Sequence, residues 1–334
     1  MPARGQLRPA QPFAHQHRAW ARERAPAHRA GRGAARVIER LAIIGVGLIG
    51  GSLARALRGA GAVGEIIGCG RSAENLELAC DLGVIDGCSR DPAEAVAGAD
   101  TVFLAVPLGA VRGIFERIQG QLRADAVITD GGSVKGSVVA DAAAVFGEVP
   151  ARLVPGHPIA GTEHSGVAAS FPELYHNRRV ILTPLPQTDT AALAQVRAMW
   201  ETAGAVVTEM DVAHHDHVLA ATSHLPHMLA FGLVDLLARQ QDNDEIFRYA
   251  AGGFRDFTRI ASSNPVMWRD ICLANADALS GMLARFGEEM TDLAETIRRR
   301  DADHLLDIFS RAKTARDTYV DGASPAKPND TAPL

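Results

Sequence analysis

The chain has 334 residues, 47% of them hydrophobic and 22% charged, which is enough to build two ordinary domains that each bury a core. Its formal charge of -5 leaves no electrostatic footprint for nucleic acid, and no stretch of eighteen consecutive apolar residues offers a membrane span, so a soluble cytoplasmic protein acting on a small molecule is expected. Four cysteines, Cys69, Cys80, Cys88 and Cys272, lack C-x-x-C spacing, which argues against a disulfide scaffold and a structural zinc and fits a reducing compartment.

Residues 1–39 form an arginine-rich head in which only Glu23 and Glu39 are acidic, set among Ala, Pro and Gly, a disordered composition. A transit peptide shares that composition but carries an amphipathic apolar stripe, which is not evident here. A third reading starts translation near Val37, just ahead of the first strand. The N-terminal sequence of the native protein separates these readings.

From Arg40 short apolar runs alternate with helix-length segments, the pattern of βαβ units around a parallel sheet. Strands are predicted at 41–44, 65–68, 101–106, 126–129 and 153–155, with 180–183 and 205–209 as later, outlying strands; helices are predicted at 52–59 and 73–82. This is an α/β fold, a Rossmann-type doubly wound sheet domain over 40–210. Beyond Met210 the strands stop, and long helices are predicted at 212–239 and 265–298, the second opened by Asn264 as cap and Pro265 in the first turn. An all-helical domain over 211–319 follows, of the kind that packs against a second copy and closes a cleft with the sheet. The tail at 320–334, rich in Pro, Ala and Asp, is expected to be disordered.

The first strand runs into Gly45-Val46-Gly47-Leu48-Ile49-Gly50-Gly51 and then into a helix, the context that a G-x-G-x-x-G fingerprint requires. Gly45 permits the tight turn, Gly47 lets backbone approach a pyrophosphate, and Gly50 lets helix lie against strand. The helix start at Leu48 and Ile49 supplies N–H groups and a positive dipole end. A nicotinamide dinucleotide is the expected cofactor, with Val106 and Pro107 beside it; the alternative is a glycine-rich turn without a ligand. At the end of the second strand, Gly68-Cys69-Gly70-Arg71-Ser72 shows no carboxylate for a ribose 2′-hydroxyl. Arg71 and Ser72 suit a 2′-phosphate, which favours NADP or dual use over NAD alone, unless Arg71 is simply solvated.

Two further segments fall at strand ends, where doubly wound sheets bind ligands: Thr129-Asp130-Gly131-Gly132-Ser133-Val134-Lys135-Gly136 and Pro155-Gly156-His157-Pro158-Ile159-Ala160-Gly161-Thr162-Glu163. Ser133 reads as the N-cap of a helix starting at Val134, and Lys135 as a solvated first-turn lysine. Arg255 and Arg259, four apart, repel by a few tenths of a kcal/mol if helical, a repulsion that a bound dianion relieves. Pro226, between His224 and His227, should kink the long helix. His214, His215 and His217 read as surface or interface residues. No histidine cluster has the spacing of a zinc signature, so no metal is expected.

With its G-S-V-K and G-H-P-I-A-G-T-E turns, the chain resembles the prephenate/arogenate (cyclohexadienyl) dehydrogenase family. The likeness continues through His214-His215-Asp216-His217, Ser223-His224-Leu225-Pro226-His227, Gly252-Gly253-Phe254-Arg255-Asp256-Phe257-Thr258-Arg259 and Trp268-Arg269-Asp270-Ile271. The resemblance implies that a hydride leaves the ring carbon bearing the 4-hydroxyl while the ring carboxylate departs as carbon dioxide. It implies His157 as the base on that hydroxyl, Ser133 as a bridge between His157 and the nicotinamide end, and Lys135 near the site. It further implies Arg259 as the clamp on a substrate carboxylate, with Arg255 and Asp256 at the mouth as an ionic gate. Ser223 and His224 are read as lining the pocket, and the resemblance implies that Thr162 and Glu163 touch the substrate side chain and that the helical halves form a homodimer. The missing acid on the second strand and the arginine-rich head depart from the family pattern. Two rivals are a β-hydroxyacid-type dehydrogenase, which would use a lysine where the 253–259 stretch has arginines, and a nicotinamide-binding sensor without turnover.

Overall fold

The computed structural model describes residues 37–162 and 164–318; the expected disordered head up to Arg36, the tail and Glu163 lie outside the described residues. The chain runs β1 (Ile38–Ile44), α1 (Leu48–Gly59), β2 (Val63–Cys69), α2 (Ala73–Asp81), β3 (Gly87–Ser89), α3 (Pro92–Val96), β4 (Thr101–Leu104), α4 (Val111–Ile118), β5 (Val127–Asp130), α5 (Lys135–Phe146) and β6 (Leu153–Val154). Among the described residues these strands form a parallel six-stranded sheet in the order β3-β2-β1-β4-β5-β6. The order reverses between β1 and β4, the switch point at which doubly wound sheets bind ligands.

Alternation along β1 explains why helices cover both faces. Leu41 and Ile43 point into a core shared with Leu53, Leu57 and Trp200, whereas Ala42 and Ile44 point into a second core with Val111, Phe115 and Val138. Phe103 on β4 meets Trp200 edge-on, with centroids 5.5 Å apart. The expected strand at 41–44 begins earlier, at Ile38, because the amides of Glu39 and Arg40 are held by the Asp100 carboxylate. Strand β3 was not foreseen: its three residues are too short and too polar for an apolar run to mark them.

The outlying strands form a second sheet. β7 (Gly156–Pro158) pairs antiparallel with β8 (Arg179–Leu182), and after α6 (Thr190–Thr202) strand β9 (Val206–Glu209) pairs parallel with β8. His157 stands opposite Ile181 in this small sheet.

The remaining described residues are helical: α7 (Val212–Leu219), α8 (Leu225–Ala238), α9 (Asn243–Arg248), α10 (Gly252–Thr258), α11 (Pro265–Ala274), α12 (Ala276–Arg299) and α13 (Ala302–Arg316). The first long predicted helix is interrupted by a π-helical turn, Ala220–His224, which ends two residues before Pro226. Proline has no N–H to give and its ring crowds the preceding turn, and the wider turn accommodates it. The second breaks at Asn275, which is drawn out of helical geometry by its own buried hydrogen bonds. Its predicted start holds, since the Asn264 side chain accepts from the amides of Val266 and Met267. Trp268 and Ile271 of α11 enter the second core of the sheet domain and join the two domains. Among the described residues no helix is long and apolar enough to cross a membrane.

Candidate active site

The glycine loop connects β1 to α1 at the switch point. Gly45 has φ +103°, which a side chain rarely adopts, and a Cβ there would lie 2.2 Å from the Ala105 carbonyl oxygen. A Cβ on Gly50 would meet the Gly45 carbonyl oxygen at 2.2 Å, so the helix lies against the turn as expected. Gly47 differs, since nothing lies within 4 Å of its Cβ position. The start of α1 has no side-chain cap and no acidic residue in its first turn. Open space over a glycine, in front of uncapped helix N–H groups, is the cradle that a dinucleotide pyrophosphate requires. Leu48 is buried, and the Ile49 carbonyl accepts from the Tyr175 hydroxyl at 2.6 Å. Val106 and Pro107 follow β4, whose residue Leu104 pairs with Ile44 at the mouth of the loop.

At the end of β2, Ser72 caps α2, accepting from the Asn75 amide at 3.1 Å and donating to Glu74 at 2.8 Å. Residues 68–72 hold no carboxylate themselves; Glu74, in the first turn of α2, is folded back to the Ser72 hydroxyl. Arg71 is exposed beside it.

The two segments at the ends of β5 and β6 are tied together under the surface. Asp130, at the end of β5, accepts from the Gly156 amide at 3.1 Å and from the Gly132 amide at 2.8 Å. Lys135 forms a buried ion pair with Asp130 and donates to the Gly156 carbonyl at 2.7 Å. Lys135 is therefore not solvated; it is wholly buried. Burial pulls its pKa down while Asp130 pushes it up.

The Ser133 hydroxyl does not cap α5, which starts one residue later than expected, at Lys135. The cap comes from the helical domain. Asp216 on α7 accepts from the amides of Lys135 and Gly136, each at 2.8 Å. A Cβ on Gly136 would lie 2.8 Å from that carboxylate, so glycine is needed for the approach.

His157 is nearly buried, at 9% exposure, and its Nδ1 lies 2.9 Å from His215 Nε2. His215 Nδ1 in turn lies 2.7 Å from Asp216 Oδ1. His214 and His217 are exposed as expected, but His215 is fully buried, because it shares a helix face with Leu219 one turn on. Burial, and after it the charges of Lys135, His215 and His224, hold the His157 pKa well below the ordinary imidazole value. His157 is therefore neutral at physiological pH.

Asn275 donates to the Asp216 backbone carbonyl at 2.8 Å and lies 3.1 Å from His224 Nδ1. His224 is fully buried with its Nε2 unpartnered, and burial pushes its pKa down to about 4. The carbonyl can only accept, so the amide group of Asn275 faces both atoms and the His224 proton sits on Nε2. The Ser223 carbonyl accepts from His227 Nδ1 at 2.9 Å, and the His227 ring stacks on Trp268 at 3.6 Å. Burial lowers the His227 pKa, the Ser223 carbonyl opposes this, and the charge of Arg259 lowers it further.

Arg259 opens a 3-10 turn directly after α10, which carries Arg255 and Asp256; all three side chains are exposed. Thr162 is exposed, and its hydroxyl accepts from the His164 amide at 3.2 Å. Sequence reasoning passed over Asp130, Asp216, Asn275 and the inward role of His215. The i to i+4 phase of His215 with Leu219 was the one legible signal among these. Among the described residues no group of three or more His, Cys, Asp or Glu side chains is arranged to hold a metal ion.

Comparison with known proteins follows the same division of the chain. Residues 53–209 match the nucleotide-binding domain of prephenate dehydrogenase, and residues 211–311 match the prephenate dehydrogenase dimerization domain. The cyclohexadienyl dehydrogenase of Zymomonas mobilis is 39% identical over 283 residues, covering 84% of this chain and 96% of that protein. The prephenate dehydrogenase of Bacillus subtilis is 38% identical over 279 residues, covering 82% of this chain and 74% of that protein. Among solved structures, the prephenate dehydrogenase of Aquifex aeolicus in complex with hydroxyphenyl propionate and NAD+ superposes with a TM-score of 0.78 at 40% identity, over 83% of this chain and 97% of that one. The Synechocystis arogenate dehydrogenase superposes with a TM-score of 0.72 at 28% identity, over 84% of this chain and 100% of that one. Because the two matched segments follow one another in order and between them take in most of the sheet domain and the helical domain, this chain belongs to the prephenate dehydrogenase family.

Proposed function

We propose that this chain oxidatively decarboxylates prephenate with a nicotinamide dinucleotide, arogenate being the second substrate to test, and that it works in the cytoplasm as a homodimer through its helical domain. The observation that carries the reading is His157, a buried neutral imidazole that follows Gly156, whose amide is bonded to Asp130 at the end of β5, and that contacts a carboxylate-anchored second histidine. A base of this kind takes the proton of the ring 4-hydroxyl as hydride leaves the same carbon. It returns the proton to the phenolate oxygen once carbon dioxide has departed and the ring is aromatic. The cofactor, when bound, accepts the hydride. Gly45, Gly47, Leu48, Ile49, Gly50, Val106 and Pro107 hold it, Ser133 stands at its nicotinamide end, and Arg71, Ser72 and Glu74 meet its adenosine ribose.

The chain must also hold two carboxylates against the nicotinamide. Arg259 supplies a fixed positive charge, with Arg255 and Asp256 at the mouth and Thr162 and Glu163 beside the side chain of the substrate. His224, buried with no partner for its Nε2, is assigned with Ser223 to the lining of the substrate pocket.

Initial rates of NAD+ and NADP+ reduction with prephenate and with arogenate test the reading on the wild-type enzyme and on His157→Ala. Turnover of one acid by the wild type, with kcat lower by about 100- to 10,000-fold in the variant, is the expected result. Binding of cofactor without oxidation of either acid sinks it.

A further inference from the structure

Asp216 belongs to the helical domain, yet its carboxylate holds two groups of the sheet domain and the only histidine in contact with His157 Nδ1 among the described residues. Its Oδ1 accepts from the Lys135 amide and stands 2.7 Å from His215 Nδ1, while its Oδ2 accepts from the Gly136 amide. Asp216 is ionised: burial works to raise its pKa, but the bonds from His215, Lys135 and Gly136 outweigh burial and hold it below the ordinary carboxylate value.

These contacts dictate where the protons sit. An ionised carboxylate can only accept, so His215 Nδ1 carries a proton and donates it to Asp216. With its ring proton on Nδ1, His215 presents a lone pair on Nε2. At 2.9 Å from His157 Nδ1 that lone pair must accept, so His157 carries its proton on Nδ1. Nε2 of His157 is left as the basic nitrogen. The same ordering holds a ring whose other neighbours, Lys135 and Asp130, grip only the backbone of the preceding residue, Gly156.

Resting on His157 as the base, we propose that His215 and Asp216 are positioning residues that fix the tautomer and orientation of His157, and that Asp216 makes this conditional on docking of the helical domain onto the start of α5. Neither residue touches a reacting atom. Each acts through the next, in the order carboxylate, imidazole, imidazole, as an acid orients the base in a serine hydrolase. The catalytic turn at β7 and the Ser133-Val134-Lys135 turn are thereby registered to one side chain of the other domain.

The test uses three variants in the full-length enzyme. In Asp216→Asn an amide can face His215 with its NH2, which reverses the proton order and leaves His157 protonated on Nε2. In His215→Phe the acceptor for His157 disappears while the cap on α5 stays. In His215→Gln an amide oxygen can still accept from His157 Nδ1. Steady-state kinetics with prephenate, cofactor dissociation constants, thermal unfolding and the 15N spectrum of labelled histidines are recorded for each, with His157→Ala identifying the His157 signals.

The expected result is a fall in kcat of about 100-fold or more in Asp216→Asn and His215→Phe, with KM and cofactor affinity within about twofold and partial recovery in His215→Gln. The wild-type spectrum should show His157 protonated on Nδ1, and His215→Phe should lose that preference. Wild-type kcat in folded His215→Phe, or an unchanged His157 tautomer in it, overturns the proposal. If Asp216→Asn fails to fold, the two His215 variants still decide. If the wild type oxidises neither prephenate nor arogenate, the functional reading fails, while the tautomer spectra still judge the relay.

Discussion

Lys135 and Asp130 form an ion pair from which water is excluded, with side-chain exposures of 0% and 1%, directly beneath the turn that carries His157. Removing one partner leaves the other charge buried and alone, which costs about 3–5 kcal/mol. Lys135→Met should therefore lower the urea midpoint severely. Asp130→Asn combined with Lys135→Met should be less destabilised than Lys135→Met alone, since no charge is then left buried and the asparagine oxygen can still accept from one of the Gly132 and Gly156 amides. Strict additivity in the double-mutant cycle would show that the pair is not coupled.

The glycines of the dinucleotide loop should separate stability from binding. Gly45→Ala forces a side chain into φ +103° and against the Ala105 carbonyl, so a loss of at least about 2 kcal/mol is expected. Gly47→Ala places its methyl in open space at φ -105°, so stability should change by less than about 1 kcal/mol. That methyl stands where the pyrophosphate approaches, and NAD+ affinity should fall about tenfold or more, the equivalent of 1.4 kcal/mol. Equal losses of stability in the two variants would contradict this division.

The buried histidines make stability depend on pH with a definite sign. His224 is held at about 4 against an ordinary value of 6.5, and His157 and His227 are lowered in the same direction. Between pH 6.5 and 4 the unfolded chain therefore binds protons that the folded chain refuses, so stability is full above about pH 6.5 and falls as the pH drops through this window. Each such histidine contributes up to about 1.4 kcal/mol per pH unit. The lowered pKa of Asp216 acts only below the ordinary carboxylate range and does not offset the loss. Urea midpoints at pH 7.5, 6 and 5 should decline in order, and His224→Leu should flatten the decline.

Arg259 is expected to act on binding more than on chemistry. A charged hydrogen bond to a carboxylate contributes about 1.5–3 kcal/mol, so Arg259→Ala should raise the KM for prephenate roughly 10- to 100-fold. The same change removes a charge that lowers the His227 pKa, so His227 should titrate at a higher pH in the variant. Its ring proton shifts followed by NMR give a second readout that is independent of turnover. An unchanged KM together with an unmoved His227 would remove Arg259 from the site.

Much of this protein was legible along the chain. The alternation of apolar runs and helix-length segments, the glycine loop after β1 and the two turns at the ends of later strands are short-range patterns, set by strand and helix periods and by backbone freedom at glycine. They marked out the sheet-forming and helical parts of the chain and the turns at the strand ends, while the reading of His157 as the base rested on the family resemblance. Tertiary structure alone decided how His157 is held. Asp216 reaches Gly136 across 80 residues, His215 reaches His157 across 58, and Asn275 reaches His224 across 51. In the sequence His215 is one of three histidines within four residues, and beyond its helical phase with Leu219 only the rotation of α7 against the sheet turns it inward while His214 and His217 stay outside. Hydrogen bonds between buried polar groups depend on where distant elements meet, and no local pattern records that meeting.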